Sequence, residues 1–246
     1  PQVFVGELSA LQSRAITAQK IRISGNAHVI MPYHKILDSL EEQCKGDGRI
    51  GTTGRGIGPC YADKMSRTGI RVSELVDPDV FPRRLAACLE HKNAVITRVF
   101  GGEALDFGAL LEEYTGYAVQ LAPYVCDTTT LLHTAAMECA KIVFEGAHGS
   151  LLDIDHGTYP FATSSHCVAG GACVGTGIGP TMIDRVIGVA KAYQTRVGAG
   201  PMPTELLDET GERIRESGKE YGTTTGRPRR CGWFDAVAVR YTARVN

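Results

Sequence analysis

The amino-acid sequence predicts an α/β fold with a largely parallel central sheet and helical excursions. Short apolar runs that end in glycine turns fit buried strands of such a sheet, as at Lys141–Gly149. Amphipathic stretches with helical spacing lie between these runs, as at Phe107–Leu121. The chain has 246 residues, of which 43% are hydrophobic and 22% charged, so it can bury a substantial core. We expect residues 1–246 to form a single α/β domain.

The spacing of apolar residues predicts each regular element in turn. Helical spacing, or a proline at the first helical position, predicts helices at Val3–Ser13, Met31–Leu40, Pro59 onward, Pro82–His91, Phe107–Leu121, Thr128–Cys139 and Phe234–Val245. Apolar runs predict strands at Ile21–Ile30, Ile142–Phe144 and Arg185–Val197. We expect the helices at Pro82–His91 and Phe107–Leu121 to form a peripheral layer. His34 lies among apolar neighbours and is expected to be a structural residue.

Composition and charge exclude several classes of protein. A formal net charge of −1 gives no global attraction to nucleic acid or to an anionic membrane. No apolar run approaches about 18 residues, so no membrane span is predicted. The eight cysteines show neither a C-x-x-C pair nor zinc-site spacing, which predicts reduced, mostly buried thiols in a cytoplasmic protein. The start at Pro1 and the end at Asn246 after an apolar run lead us to expect a piece of a longer chain.

A glycine–threonine loop is the first segment with chemistry of its own. Between Ile50 and Pro59 the chain reads IGTTGRGIGP, and its hydroxyls and backbone amides suit an oxyanion such as phosphate. A helix from Pro59 would place Lys64, Arg67 and Arg71 on one cationic face. A solvated basic face is the alternative interpretation. The loop does not match a Walker A motif.

Residues Phe144–Ser165 combine glycine turns, histidines and acids, which is typical of a ligand site. An ordinary turn after a strand is the alternative for its first part, Glu145–Gly149. Within this segment His156 is close to Asp153 and Asp155, which suggests a catalytic cluster. A third loop, YGTTTGRPRRCGW at Tyr221–Trp233, concentrates threonines with arginines at positions 227, 229 and 230, and guanidinium groups bind planar oxyanions. Three such loops indicate one site for more than one anionic group, as in a ligase or a kinase.

Four segments together resemble adenylosuccinate synthetase. They are Ile50–Lys64, Phe144–Ser165, Arg196–Leu206 and Thr223–Asp235, and they follow in the family's order. The resemblance implies a central sheet of the P-loop-NTPase-like type in an enzyme whose N- and C-terminal parts are missing here. It also implies a cytoplasmic homodimer that uses GTP and Mg²⁺ to join IMP and L-aspartate into adenylosuccinate, with no nucleic-acid or membrane partner.

The resemblance also implies roles for individual residues. Thr53 corresponds to the threonine that binds the IMP phosphate, Thr163 to a further IMP contact, and Arg67 to an arginine that reaches the neighbouring subunit's site. The loop from Thr223 to Arg229 resembles the aspartate-binding loop. Its implied substrate contacts are Thr223, Thr224, Thr225, Gly226 and Arg227. Arg229 corresponds to an arginine associated with GTP.

Two departures from the family pattern limit what is expected of this chain. His148 stands where the family has a glutamine that contacts the purine base, so a variant acting on another purine nucleotide such as dGMP remains an alternative. The GDEGKGK phosphate loop and the segment with the catalytic histidine are absent. The catalytic residues therefore remain unknown, and most GTP and Mg²⁺ ligands are expected elsewhere. We expect the chain alone to be inactive, and a non-catalytic IMP-binding or dimerisation fragment is the second alternative.

Overall fold

The structure is a computed structural model that describes residues 1–222 and 226–246, apart from the side chain of Asp47. It divides into two compact units, which are described separately. The first comprises Pro1–Glu41 and Gly54–Ala140, and the second comprises Glu42–Thr53 and Lys141–Asn246. That residues 1–246 form a single domain stays a prediction.

The first unit is mainly helical. Its elements are α1 (Gln2–Ser13), β1 (Ile23–Ser24), α2 (Pro32–Cys44), α3 (Ile57–Ser66), α4 (Val72–Leu75), α5 (Phe81–Arg98), α6 (Phe107–Leu121), a 3-10 turn (Ala122–Tyr124), β2 (Val125–Cys126) and α7 (Thr128–Met137). β1 and β2 pair in parallel, with Ile23 opposite Val125. The predicted helices are therefore confirmed, although α5 continues seven residues beyond the predicted end at His91. The predicted strand at Ile21–Ile30 shortens to Ile23–Ser24.

Helices α5 and α6 form much of the core of the first unit. Phe81, Leu85 and Ile96 of α5 are almost fully buried, and Leu110 and Tyr114 of α6 pack in the same cluster. The prediction of a peripheral layer was wrong for these helices. An amphipathic pattern shows that one face is buried, but it does not show how many neighbours share that face.

A buried polar network fixes the position of α3 in the first unit. His34 of α2 accepts a hydrogen bond from the Met31 amide at Nδ1, and its Nε2 lies 3.0 Å from Asp63 Oδ2. Lys92 of α5 donates to the other oxygen of Asp63 at 2.5 Å. Burial alone would raise the pKa of Asp63, but the hydrogen bonds from His34 and Lys92 outweigh it and lower the pKa below its ordinary value. His34 is thus a satisfied structural residue, as predicted.

The second unit contains more irregular backbone. Its elements are 3-10 turns at Gly46–Gly48, Ser150–Leu152 and Pro180–Met182, with α8 (Gly170–Thr176), β3 (Tyr193–Arg196), α9 (Glu209–Ser217), β4 (Arg230–Trp233) and α10 (Ala236–Val245). β3 and β4 are antiparallel, and Arg196 lies opposite Arg230. The side chain of Asp235 accepts a hydrogen bond from Ala238 N–H at 2.9 Å, so α10 begins two residues later than its apolar pattern predicts.

The α/β class is consistent with this mixture of helices and strands, but the large parallel sheet is not confirmed. Among the described residues the structure has only two sheets of two strands each. The predicted strand Ile142–Phe144 has no strand assignment, and only Tyr193–Arg196 of the predicted strand Arg185–Val197 is paired. Val143 and Val189 are 90% and 95% exposed. An apolar run becomes a strand only where a neighbouring backbone accepts its hydrogen bonds, and the described residues supply none there.

The prediction that most of the cysteines are buried is wrong. All eight cysteines lie in the described part of the chain and are free thiols, of which Cys60, Cys88 and Cys231 are buried and Cys44 and Cys139 are exposed. Among the helices of the described residues, none combines the length and the apolar character needed to cross a membrane.

Arg67 does not lie on the predicted cationic helix face. Helix α3 ends at Ser66, and Arg67 follows in the left-handed conformation with φ of 65°. Its position is fixed by Asp63, whose carbonyl oxygen accepts hydrogen bonds from the Thr68 and Gly69 amides. Arg71 caps the separate helix α4. Because the chain turns sharply after Ser66, the three basic residues do not share a helix face. Lys64 lies in α3, Arg67 follows its end, and Arg71 lies at the start of α4.

The left-handed conformation at Arg67 predicts the effect of a glycine there. Arg67→Gly should raise the free energy of unfolding by up to about 1 kcal/mol, because this conformation is unfavourable for a residue with a Cβ. Ala62→Gly, at an exposed position inside α3, should lower it by about 1 kcal/mol. Urea unfolding measures both variants, and equal losses of stability would contradict the prediction.

Candidate functional site

The glycine–threonine loop of the second unit binds a carboxylate of its own unit. The amides of Gly51 and Thr52 donate to Glu42 Oε2 at 2.9 and 3.3 Å, and Lys45 pairs with Glu42 Oε1 at 3.1 Å. Burial would raise the pKa of Glu42, but these hydrogen bonds lower it below its ordinary value. The predicted oxyanion donors thus do bind an oxyanion, although it is a side chain. Thr53, the residue implied to bind phosphate, is exposed next to them.

Arg227 joins this loop to a second predicted segment. Its Nη2 donates to the carbonyl oxygens of Gly51 and Thr52 at 2.9 and 3.4 Å, across more than 170 positions of sequence. Gly51 has φ of 81°, and a Cβ at this position would lie 3.5 Å from the Arg227 guanidinium. That distance is an ordinary van der Waals contact, so the left-handed backbone and not a lack of space favours glycine here. The structure therefore places Arg227 beside the segment that ends at Thr53.

Residues 220–222 and 226–229 pair around the threonine-rich loop. Tyr221 and Pro228 form an antiparallel bridge, and the Gly222 amide donates to Arg227 O at 2.8 Å. Gly226 has φ of 64°, which suits the return of the chain. Thr223, Thr224 and Thr225 lie outside the described residues, so their implied contacts with aspartate stay predictions.

Arg229, the residue implied to contact GTP, pairs with a buried carboxylate. Its Nη1 donates to Glu220 Oε2 at 2.6 Å. Glu220 Oε1 also accepts hydrogen bonds from Lys191 Nζ at 2.7 Å and from the Tyr193 hydroxyl at 2.5 Å. Burial alone would raise the pKa of Glu220, but these partners lower it to about 2. Glu220 could not be predicted from the sequence, because its partners Lys191 and Tyr193 are more than 25 positions away and no local motif connects them.

Arg230 forms its hydrogen bonds within the protein. The cluster of arginines predicted instead that it would bind the anionic group of a ligand. It pairs with Glu205 through Nε at 2.7 Å and Nη2 at 2.5 Å. Its Nη1 donates to the carbonyl oxygens of Gly198 and Gly200. These contacts hold the GAGP turn after β3, so Arg230 is not available as an oxyanion donor in this structure.

Arg196 connects that turn to the segment that contains Thr163. Its guanidinium donates to Ala199 O at 2.8 Å, Thr158 Oγ1 at 3.1 Å and Phe161 O at 2.9 Å. The Thr163 amide donates to Leu152 O at 2.8 Å, and its side chain is partly exposed. The backbone around Thr163 is therefore held at two points, at Phe161 O by Arg196 and at the Thr163 amide by Leu152 O.

Asp153 acts as a structural anchor for the Phe144–Ser165 segment. It is fully buried, and its carboxylate accepts hydrogen bonds from the backbone amides of Asp155, His156, Cys167 and Val168. Burial would raise the pKa of Asp153, but these four hydrogen bonds lower it to about 2. The hypothesis of a catalytic His–Asp cluster receives no support, since Asp153 binds the backbone of His156 and not its imidazole.

His148 lies on an exposed turn earlier in the same segment. It has φ of 66°, a conformation that few non-glycine residues adopt. The neighbouring glycines Gly146 and Gly149 leave space around the turn, since a Cβ on either would meet no atom within 4 Å. His148 is therefore exposed to solvent, and its implied contact with a purine base stays a prediction.

One group of side chains has metal-ligand spacing, but it does not fit Mg²⁺. Single ligand atoms of Asp153, Asp155 and His166 lie within 4.8 Å of one another. Mg²⁺ prefers an octahedral shell of oxygen atoms. Here the oxygens of Asp153 already accept hydrogen bonds from backbone amides, and His166 offers nitrogen. We therefore derive no step of chemistry through a metal at this position.

The whole chain matches known proteins of one family. A family model described as adenylosuccinate synthetase matches residues 1–246. The adenylosuccinate synthetases of Carboxydothermus hydrogenoformans and Pelotomaculum thermopropionicum are 57% and 58% identical over all of this chain, which spans 58% of their length. The solved structure of fully ligated adenylosuccinate synthetase from Plasmodium falciparum is 36% identical, with a TM-score of 0.89 over 97% of this chain and 57% of that one.

The hydrogen bonds of Asp153 predict a specific pH dependence of stability. A carboxyl group whose pKa falls from 3.8 to about 2 on folding stabilises the fold above pH 4, and this contribution disappears as the pH falls toward 2. Asp153→Asn should lower the free energy of unfolding at pH 7 by about 2 kcal/mol, and the loss should shrink between pH 4 and pH 2. Urea unfolding across this range measures the effect.

Asp155→Asn is the matched control for that experiment. Asp155 is two residues away and exposed, and its carboxylate has a 3.4 Å contact with His166. This variant should keep the wild-type pH dependence. Parallel curves for wild type and Asp153→Asn would contradict the assignment.

Proposed function

This chain belongs to the adenylosuccinate synthetase family, and we propose that it forms the central part of a GTP-dependent ligase of purine biosynthesis. The enzyme would join IMP and L-aspartate to give adenylosuccinate, GDP and phosphate. The observation that carries the proposal is the contact of Arg227 with the loop ending at Thr53. It connects an arginine of the implied aspartate-binding loop with a threonine implied to bind the IMP phosphate.

The described groups suit the two steps of that reaction. In the first step the 6-oxygen of IMP attacks the γ-phosphoryl group of GTP, GDP leaves, and the purine then carries a phosphate as its leaving group. In the second step the amine of aspartate attacks carbon 6, and inorganic phosphate departs. Arg227 and Arg229 would hold the anionic groups and neutralise charge on the transferring phosphoryl group. The acid and base of these steps lie in segments that this sequence does not contain.

The remaining properties of the enzyme are proposals as well. Mg²⁺ would accompany GTP and be held mostly by residues outside this chain. A homodimer is proposed, in which Arg67 reaches the neighbouring subunit's site, as the family resemblance implies. Arg67 is exposed at the end of α3, which is compatible with such a contact. The eight free thiols favour a cytoplasmic location.

We also propose that the extended apolar segments belong to a larger parallel sheet in the longer enzyme. Residues 141–144 and 183–192 carry Val143, Ile187 and Val189, each at least 72% exposed. Such side chains favour strands that are covered on both faces. Strands from the remainder of the family's length would provide the missing hydrogen bonds and give the P-loop-NTPase-like sheet.

A test of the function compares the 246-residue chain with the longer polypeptide that contains it. The longer protein should form adenylosuccinate from IMP, aspartate, GTP and Mg²⁺, and the chain alone should form none because it lacks the phosphate loop. Product is measured by its ultraviolet absorbance. Rapid product formation by the chain alone would contradict this assignment, and no product from the longer protein would reject the ligase. Binding of IMP by calorimetry, without activity in either protein, would instead favour a non-catalytic IMP-binding or dimerisation fragment.

His148 favours a second candidate, a ligase for another purine nucleotide such as dGMP. Glutamine can donate and accept in one plane, whereas imidazole offers different geometry. His148→Gln in the longer protein should increase the ratio of kcat/KM for IMP to that for dGMP by roughly tenfold, the effect of one hydrogen bond to a base. His156→Gln is the control on the same segment. An unchanged ratio would exclude a role for His148 in base selection.

A further inference from the structure

We propose that Glu220 is a positioning residue that orients the guanidinium of Arg229 toward an anionic nucleotide. The inference rests on the proposed function, since the implied ligand of Arg229 is GTP. Glu220 belongs to no motif of the sequence analysis, and the proposal comes from the contacts of its carboxylate. Glu220 would not touch the nucleotide itself and would affect its binding through Arg229.

The carboxylate of Glu220 is buried and fully engaged. The residue is 4% exposed, and its two oxygens accept hydrogen bonds from three side chains, Lys191, Tyr193 and Arg229. An unpaired buried carboxylate is strongly unfavourable, so this group holds its donors in fixed positions. Two of the donors lie on or next to β3, and the third lies directly before β4.

Arg229 is fixed at its backbone and at one edge of its side chain. Its amide donates to Glu220 O at 2.9 Å, and its carbonyl accepts from Arg215 Nε at 2.8 Å. Among the described residues Glu220 is the hydrogen-bond partner of its guanidinium, through Nη1 alone. The side chain is 27% exposed, so the other N–H donors can reach a ligand in a defined direction. Orientation of this kind reduces the entropy that a ligand loses on binding.

The negative charge of Glu220 is essential to this arrangement. Two cations, Lys191 and Arg229, pair with the single carboxylate of Glu220. These three side chains therefore have a net charge of +1, which favours the binding of an anion. A glutamine in place of Glu220 would have a similar size, but its NH₂ group cannot accept a hydrogen bond. One of the cations would then lose its partner, and the two cations would repel each other. We expect Arg229 to leave its position, since it is held through a single nitrogen.

The experiment measures steady-state kinetics of Glu220→Gln in the longer polypeptide that contains this chain. The KM for GTP should rise roughly tenfold to a hundredfold, the effect of losing one charge-assisted hydrogen bond. The KM for IMP should stay within about twofold, because Arg227 makes its contacts to the Gly51–Thr52 segment without Glu220. An unchanged KM for GTP, or equal increases for both nucleotides, would overturn the proposal.

Glu216→Gln is the matched control for the loss of a carboxylate. Glu216 is exposed and accepts a hydrogen bond from the hydroxyl of Tyr221, which follows Glu220 in the sequence. The control should keep both KM values. If it raised the KM for GTP as much as Glu220→Gln does, a general effect of losing a carboxylate near Tyr221 would replace the proposal.

A double-mutant cycle separates positioning from a merely structural role. Arg229→Gln should itself raise the KM for GTP, and adding Glu220→Gln to it should change that KM by less than about twofold. Additive effects of the two substitutions would show that Glu220 acts by another route and would overturn the proposal. The cycle's thermal unfolding curves confirm that each variant is folded at the assay temperature.

Glu220→Asp replaces the first variant if Glu220→Gln does not fold. It keeps the charge and shortens the side chain by one methylene, so it should raise the KM for GTP several-fold and leave that for IMP unchanged. A wild-type KM for GTP in this variant would overturn the proposal. If the wild-type protein forms no adenylosuccinate, the proposed function fails; if it does and Glu220→Gln matches it, only this inference fails.

Discussion

Buried carboxylates hold the irregular parts of this chain in place. A carboxylate removed from water is stable only when several donors surround it, so each one fixes the segments that supply those donors. Asp63 joins three helices of the first unit through His34 and Lys92. In the second unit Asp153 gathers four backbone amides, and Glu220 gathers three side chains. Loops of low regularity thereby acquire defined positions.

The same constraint gives the arginines on or next to β3 and β4 different hydrogen-bond partners. Arg196 and Arg230 bind carbonyl oxygens and Glu205, and these contacts shape the turn after β3. Arg229 is held at one edge by Glu220 and keeps other donors for a ligand. The hydrogen bonds that hold a guanidinium, and not its presence in a loop, therefore decide which of its N–H groups remain for an anion. Neighbouring arginines such as Arg229 and Arg230 can have different roles for this reason.

The strand predictions show how far local pattern can determine structure. A helix satisfies its own backbone, so α6 appears at Phe107–Leu121 as its apolar spacing predicts. A strand depends on a neighbour, and the apolar run near Val189 has no strand partner among the described residues. Within the predicted strand Arg185–Val197, the described residues that pair are Tyr193–Arg196, because β4 lies beside them. The sequence shows that these segments are apolar, but whether they pair as strands depends on other parts of the protein.

The sequence by itself determined the family, most helices and the loops with anion-binding chemistry, because these depend on residue type and short-range spacing. It also predicted the structural role of His34. Only the tertiary structure decided that Arg227 reaches the Gly51–Thr52 segment, that Arg230 is engaged by Glu205, and that Glu220 holds Arg229. Each of these contacts joins positions that are distant in the chain or that compete for one partner. Which of several nearby cations pairs with a carboxylate depends on their distances and orientations, and these are set only when the chain folds.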